Sequence, residues 1–335
     1  MPSGIPKPSH LAPHVFADHN EQTFRQTALA LFRFQYEHNP VYRAYCNALG
    51  LATETVDAVE KIPFLPITFF KTHNVQCSAN SINEVVFESS GTTGQQPSRH
   101  LVADVHVYET SFRQAFAQFY GQVENYCILG LLPSYLERSR SSLVYMVADL
   151  IKRSGHPLSG FYLYEFDKLA DTLTQLEAKG QKTILFGVTY ALLDFAEQHS
   201  MPLQHTTIIE TGGMKGRQQE LLREEVHGLL KKSFSVNSIH SEYGMTELLS
   251  QAYATASGRF HTPPWMQVLI REEDDPFSIV RTGRTGGINI VDLANSYSCA
   301  FIATEDVGRL NDDKSFDVLG RLDNAEIRGC SLLAL

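Results

Sequence analysis

No apolar run in these 335 residues approaches the roughly 20 consecutive positions that a helical membrane span needs. Positive charge is also short. The chain has 28 Lys and Arg against 37 Asp and Glu, a formal −9, and a pI near 5.8. That balance lacks the basic face needed to coat nucleic acid, although a few backbone amides and one or two cations can still hold a single nucleotide. Cysteines are few: Cys46, Cys77, Cys127, Cys299 and Cys330, an odd number with no CxxC spacing. Neither a disulfide framework nor a zinc knuckle is indicated. The opening MPSGIPKPSHLAP is proline-rich and polar rather than signal-like, so a reducing cytoplasm is the expected setting.

What remains is an ordinary globular composition, 43% hydrophobic and 19% charged, with enough length for one large domain or two smaller ones. Residues 1–20 read as a flexible tail. Residues 20–50 read as helical, with Phe24, Leu29, Leu31, Phe32 and Tyr36 as a stripe. IPFLPITFFKTH (62–73) carries two prolines and reads as an irregular packed connector. Then apolar runs alternate with helix-like segments. VVF, YCILGLL, TILFGV, TTIIE and SFSVNSI are the runs. Tyr108, Phe112, Phe116 and Tyr120 mark one helix, and SLVYMVADLIKR, the stretch 190–199 and QQELLREEVHGLLKK mark others. This alternation predicts an α/β fold, mainly a parallel, doubly wound sheet, as one domain. Beyond Gly258 the texture turns to strands and Gly-rich loops, a β-rich C-terminal part.

FESSGTTGQQPSR (87–99) places three serines, two threonines and two glycines between a strand and a helix-like segment. Bare amides in a Gly-rich turn, with a helix N-terminus behind them, make a concavity for phosphate, and Ser89, Ser90, Thr92 and Thr93 would wrap it beside Gly91 and Gly94. No Lys-Ser or Lys-Thr follows, so this is not a Walker A loop. A polar surface turn of the same composition is equally compatible with these residues alone.

Three more segments follow in order: YGMTE (243–247), ATEDVGRL (303–310) and GRLDNAEIRG (320–329). With SSGTTG they resemble the phosphate loop, magnesium, ribose and hinge motifs of the adenylate-forming, acyl-CoA synthetase-like superfamily. Within it, IPFLPITFFKTH, SSGTTG with PSRH (97–100), ETGGMKG (210–216), GGINIVDLAN (286–295) and the ending IRGC are similar to the acyl-protein synthetase family of bacterial bioluminescence. The resemblance implies the fold of the superfamily's N-terminal domain. Residues 21–318 would be the catalytic domain, and 319–335 a hinge and short remnant with the C-terminal lid domain absent or truncated.

It also implies ATP and Mg²⁺ as cofactors and a fatty acid as substrate, activated as an acyl-adenylate. Carried over residue by residue, it sets Tyr243, Gly244 and Thr246 at the nucleotide, Glu247 on Mg²⁺, and Asp306 and Arg321 on the ribose. Gly212 and Gly213 fall under the adenine, Lys215 near a phosphate, and Asp323 at the pivot. Cys330 would take the acyl group as a thioester, with Arg328 nearby, before delivery to an acyl-accepting reductase or carrier protein. Each residue has a plainer reading: a surface glutamate, a turn aspartate, a chain-turning glycine pair, a small buried thiol. His240 could line the acyl pocket or act as a base, or simply be a core histidine. Phe161, Tyr162, Tyr164 and Phe186 could line the pocket or be core.

Two departures stand out. Ser98 and Arg99 follow Pro97 where the superfamily has a lysine, and the lid's catalytic lysine has no counterpart. Two other readings fit the same residues. One is a ligase passing an aryl or acyl group to coenzyme A or a carrier protein. The other is a non-catalytic nucleotide-binding scaffold, against which Glu247, Asp306 and Arg321 count.

Overall fold

The computed structural model describes residues 15–77, 83–90, 96–133, 138–212 and 221–322. The first helical stretch is two helices, not one. Helix α1 (Glu21–His38) starts at Asn20, whose side chain accepts from the Thr23 amide at 2.9 Å while Thr23 Oγ1 accepts from the Asn20 amide. It stops at Asn39 because Pro40 has no amide to donate and sits instead at the start of α2 (Pro40–Ala48). Asn39 caps α2 by accepting from Val41 and Tyr42.

The connector at 62–73 is less irregular than expected. It supplies strand β1 (Leu65–Pro66) and a four-residue turn of helix, α3 (Phe69–Thr72). A hairpin follows, β2 (Val85–Glu88) with β3 (Arg99–Val102), in antiparallel register. Helix α4 (Val105–Tyr120) buries Tyr108, Phe112 and Phe116 at the spacing read from the sequence.

Then comes the alternation. In chain order it runs β4 (Cys127–Leu131), α5 (Ser142–Ser154), β5 (Gly160–Phe161), α6 (Phe166–Ala178), β6 (Thr183–Gly187), α7 (Thr189–Gln198), β7 (Thr206–Glu210), α8 (Arg223–Phe234) and β8 (His240–Tyr243). These strands pair in parallel in the order β5-β4-β6-β7-β8. Both faces are covered, and side-chain alternation shows how. Ile128, Ile184, Phe186 and Ile209 join a core with α4 and α5, whereas Leu129, Leu131, Leu185 and Ile208 join a second core with α6, α7 and α8. A strand buried on both sides must be apolar throughout, which is why YCILGLL and TILFGV read as continuous runs. Each fully buried Leu, Ile or Phe contributes about 1.5–3 kcal/mol, so these two cores hold the sheet between its helix layers.

SFSVNSI is not a strand. Phe234 extends the apolar period of α8 beyond Val226 and Leu230 and stacks on Phe195 at 5.8 Å. Ser235 then turns left-handed at φ 52°, and the strand begins only at His240, inside the motif region.

The β-rich C-terminal part continues the same sheet in antiparallel fashion. It comprises β9 (Ala252–Ala254), β10 (Phe260–His261), β11 (Met266–Arg271), β12 (Thr285–Asp292), β13 (Phe301–Leu310) and β14 (Phe316–Arg321). The order runs β8-β9-β10-β14-β13-β12-β11. The start of β13 also pairs in parallel with β1, Leu65 opposite Ile302. The result is one mixed sheet of an α/β protein, whose parallel part is doubly wound and whose β-rich part supplies the far wall. No helix among the described residues is long and apolar enough to cross a membrane.

Candidate functional site

In open α/β sheets the ligand crevice lies beyond the carboxyl ends of the parallel strands. Here β7 ends at Glu210 and runs into Gly212, and β8 ends at Tyr243 and runs into Gly244, Thr246 and Glu247. Tyr243 is buried, and its phenol donates to Asp306 Oδ2 on β13 at 2.7 Å. Asp306 stands directly opposite Arg321 of β14, so three motif residues from separate segments meet on one face. Burial pushes the Asp306 carboxyl up, and the Tyr243 hydrogen bond and the Arg321 charge pull against that. Arg321 itself is paired with Glu305.

Ser89 and Ser90 leave β2 at its C-terminal end. The Ser89 amide donates to Ser98 O at 3.1 Å, and the Ser98 amide donates back to Ser89 Oγ at 2.9 Å, closing the neck of the hairpin loop. The loop therefore joins two antiparallel strands. It does not run into a helix: α4 begins only at Val105, beyond β3, so the expected helix N-terminus does not stand directly behind the loop. Gly91, Thr92, Thr93 and Gly94 lie outside the described residues, as do Gly213, Lys215, Asp323, Arg328 and Cys330.

The hairpin and the Tyr243–Glu247 segment are tied together. His100 of β3 is 1% exposed, with Nδ1 at 2.8 Å from the Thr246 carbonyl and Nε2 at 3.1 Å from Asn295 Oδ1. Asn295 Nδ2 donates to the next carbonyl, that of Glu247, at 2.7 Å. Two residues on, Asp292 accepts the amides of Leu249 and Ser250 and the Ser250 hydroxyl. Burial raises Asp292 to about 6 against those three donors and a fourth, the Ala294 amide at 3.1 Å. PSRH, YGMTE and GGINIVDLAN are thus one hydrogen-bonded unit. The signal for it in the sequence was polar Asp and Asn within an apolar strand end, yet pairing them with His100 required the fold.

Glu210 anchors the other side. Its carboxylate accepts from the Thr189 hydroxyl and from the Gly212 amide, the latter at 2.7 Å. Gly212 holds φ +73°, a left-handed turn that favours glycine. Ser241 Oγ donates to Glu210 at 3.4 Å and accepts from Arg223 at 3.1 Å. The Arg223 guanidinium also lies 4.5 Å from the Phe260 ring centre. His227 approaches Glu210 at 4.0 Å, but burial and neighbouring cations lower the ring to about 4, so this contact is not an ion pair at neutral pH. Glu210 and Arg223 carried no role in the sequence reading.

Glu247 is 5% exposed. His240 faces the α4 side of β8 and meets Tyr120 OH at 3.3 Å; burial lowers its ring, and it is a partnered histidine. Of the four aromatics considered for a pocket, Phe186 and Tyr162 are core, Phe161 packs against core, and Tyr164 is 77% exposed. Cys46, Cys77, Cys127 and Cys299 are all buried.

Taken together, the crevice has a buried aromatic next to a carboxylate and an arginine, a hydroxyl-rich hairpin loop, and an acidic residue in a loop held by its carbonyls.

Solved structures share the fold. A 2-hydroxyisobutyryl-CoA ligase in complex with 2-HIB-AMP and CoA superposes with a TM-score of 0.65 at 14% identity, covering 96% of this chain and 72% of that one. ATP-bound MatB from Rhodopseudomonas palustris gives 0.52 at 16% identity over 73% of this chain. The chain spans about half of MatB, 49% of its length. Two relatives are named long-chain-fatty-acid–luciferin-component ligase. That of Aliivibrio fischeri is 22% identical over 328 residues, 90% of this chain and 85% of the relative. That of Vibrio harveyi is 23% identical over 327 residues, covering 90% and 84%. The family described as Acyl-protein synthetase, LuxE, matches residues 12–123 and 152–334. A motif set in the expected order, a shared fold and a match across most of its length place this chain in the acyl-protein synthetase family.

Proposed function

We propose that this protein uses ATP to activate a carboxylic acid of the fatty-acid class and passes the acyl group to a cysteine thiol. The observation that carries the reading is the meeting of Tyr243, Asp306 and Arg321 beside a Thr246–Glu247 segment tied to the β2–β3 hairpin. A carboxylate oxygen attacks the α-phosphorus of ATP, pyrophosphate leaves, and an acyl-adenylate forms. A thiolate then attacks the acyl carbon, the thioester forms and AMP leaves. Neither step needs a covalent group on the protein before the thiol, only positioning and charge stabilisation.

In this reading Asp306 and Arg321 hold the ribose, Tyr243 and Gly244 with Gly212 and Gly213 border the adenine, and Thr246 meets the α-phosphate. Ser89, Ser90, Gly91, Thr92, Thr93 and Gly94 cradle the remaining phosphates. Mg²⁺ fits Glu247: a hard oxygen donor from one carboxylate suffices, since Mg²⁺ keeps waters and phosphate oxygens as its other ligands. Bound there, Mg²⁺ would supply charge neutralisation on the phosphates. Residues 21–318 would form the catalytic domain and 319–335 the hinge segment, with Arg321 at the end of β14 and Cys330 as acyl acceptor. A reductase or carrier protein is the expected recipient of the acyl group.

Intact-mass measurement after incubation with ATP, Mg²⁺ and a set of fatty acids, beside Cys330→Ser, tests this. A hydroxylamine-labile acyl mass on the wild type and none on the variant is the expected result. AMP without an adduct moves the acceptor to another molecule, such as coenzyme A. Neither AMP nor adduct with any acid overturns the reading.

A further inference from the structure

His100 is hemmed in by acceptors. Its Nδ1 faces the Thr246 carbonyl at 2.8 Å and its Nε2 faces Asn295 Oδ1 at 3.1 Å. The Asn295 amide cannot be turned round to relieve this, because its Nδ2 is the donor to Glu247 O at 2.7 Å. A charged imidazolium would satisfy both acceptors, but with 1% exposure and Phe70 edge-on at 5.6 Å the ring is out of water. Burial takes its pKa down to about 4, so near neutrality it has one N–H to give. Thr246 O makes the shorter contact and has no second donor among the hydrogen bonds of the described residues, whereas Asn295 is already anchored through Nδ2 and through its carbonyl, which accepts from Gln35 at 2.9 Å.

We propose that His100 is a positioning residue that, as its Nδ1–H tautomer, grips the Thr246 carbonyl and sets the attitude of the Thr246–Glu247 peptide towards the loop carried by its own hairpin. The geometry gives this grip its leverage. His100 lies on β3 opposite Phe87, and the loop closes between Ser89 and Ser98, two residues before it. One ring thus couples the hairpin that carries the hydroxyl-rich loop to the segment carrying Thr246 and Glu247. The inference rests on the adenylation reading for its consequence, since the peptide it holds matters only if phosphate is handled there.

The test separates the two nitrogens. An asparagine amide nitrogen occupies the place of Nδ1 and a glutamine amide nitrogen that of Nε2, so His100→Asn keeps the donor to Thr246 and His100→Gln keeps only the one to Asn295. AMP formation is measured with ATP, Mg²⁺ and hexadecanoate, alongside Tm. His100→Asn is expected to stay within about threefold of wild-type kcat. His100→Gln is expected to lose about tenfold at similar Tm, the upper end of what one neutral buried hydrogen bond contributes. Equal losses in both variants that follow Tm, or no loss in either, would overturn the proposal. Nitrogen-15 NMR of the wild-type histidine side chains reads the tautomer without any variant: a protonated Nδ1 is expected for His100, and a protonated Nε2 overturns it. If the wild type turns over no acid, the activity reading fails by itself. The NMR result and ATP affinities of the two variants by calorimetry then still decide the role of His100.

Discussion

The Tyr243 phenol and the Asp306 carboxylate, from motifs on different strands, meet at 2.7 Å with Arg321 directly across the ladder. Asp306→Ala is expected to weaken ATP binding by about tenfold or more, since a hydrogen bond to a charged group is worth roughly 1.5–3 kcal/mol. Tyr243→Phe keeps the ring and loses only the bond that orients Asp306, about fivefold. Calorimetric titration with ATP decides. Unchanged affinity in Asp306→Ala removes this residue from the nucleotide site.

Glu242 neighbours Tyr243 on the opposite side of β8, with its carboxyl over Gly244 and near Gln251. Burial, with the Glu210 charge behind it, raises it from 4.5 to about 8. The folded state thus keeps a proton that the unfolded chain gives up, and stability from this group is full below about pH 4.5 and falls as pH rises towards 8. Glu242→Gln cannot titrate. Its stability relative to wild type should rise across that window, by about 1.4 kcal/mol per pH unit at most. Urea unfolding at pH 5, 6.5 and 8 (values about half a window apart) gives the slope, and parallel curves would contradict the assignment. His100 and His227, both lowered to about 4, act in the other direction: their contribution is present above 6.5 and lost as pH falls to 4, in wild type and variant alike.

Arg271 is buried with its guanidinium on Ile288 O, Asn289 Oδ1 and Thr304 O. It lies flat against Gly287, where an added Cβ would stand 2.5 Å from its Cζ. Arg271→Met takes the guanidinium away from Asn289 Oδ1 and Thr304 O beneath the strand that carries Asp306, while Ile288 O still accepts from the Thr304 hydroxyl. A loss of about 3 kcal/mol or more is expected. Gly287→Ala meets the same pinned group and should also destabilise. Denaturant midpoints with unchanged m-value are the readout; a loss under about 1 kcal/mol for Arg271→Met would show that water replaces the guanidinium.

Cys46, Cys77 and Cys127 have thiols pushed by burial up to about 12, 12 and 11, and Cys299 is raised further. The thiolate is the nucleophile, so these four should resist iodoacetamide at pH 7.5 (about one unit below a free thiol) until the protein unfolds. Peptide mapping after labelling checks this. Ready modification of any of the four in the native state would make it a rival acyl acceptor to Cys330.

Much of the architecture was legible in short-range pattern. The four-residue spacing of Tyr108, Phe112 and Phe116 marked α4, and short β-branched and apolar runs marked β4, β6 and β7. Misreadings came where one pattern competed with another. Phe234 fits a strand in SFSVNSI but fits the α8 period better once Phe195 is across from it. Local pattern sets a helix directly after the SSGTTG loop because β3 is only four residues long and its partner β2 lies upstream of the loop, a pairing that local pattern does not contain.

By itself the sequence determined which chemistry-bearing residues exist, their order along the chain and the α/β alternation that would carry them. Those depend on residue identity and on periods of two and 3.6, which are local properties. Only the tertiary structure decided who holds whom and in what ionisation state. The His100 ring lies within hydrogen-bonding distance of a carbonyl 146 residues away and of an amide oxygen 195 away. That ring, Glu242 and Asp292 titrate far from their usual ranges because burial strips them of water. Burial and long-range contact are sums over the whole packed chain, and no local stretch contains them.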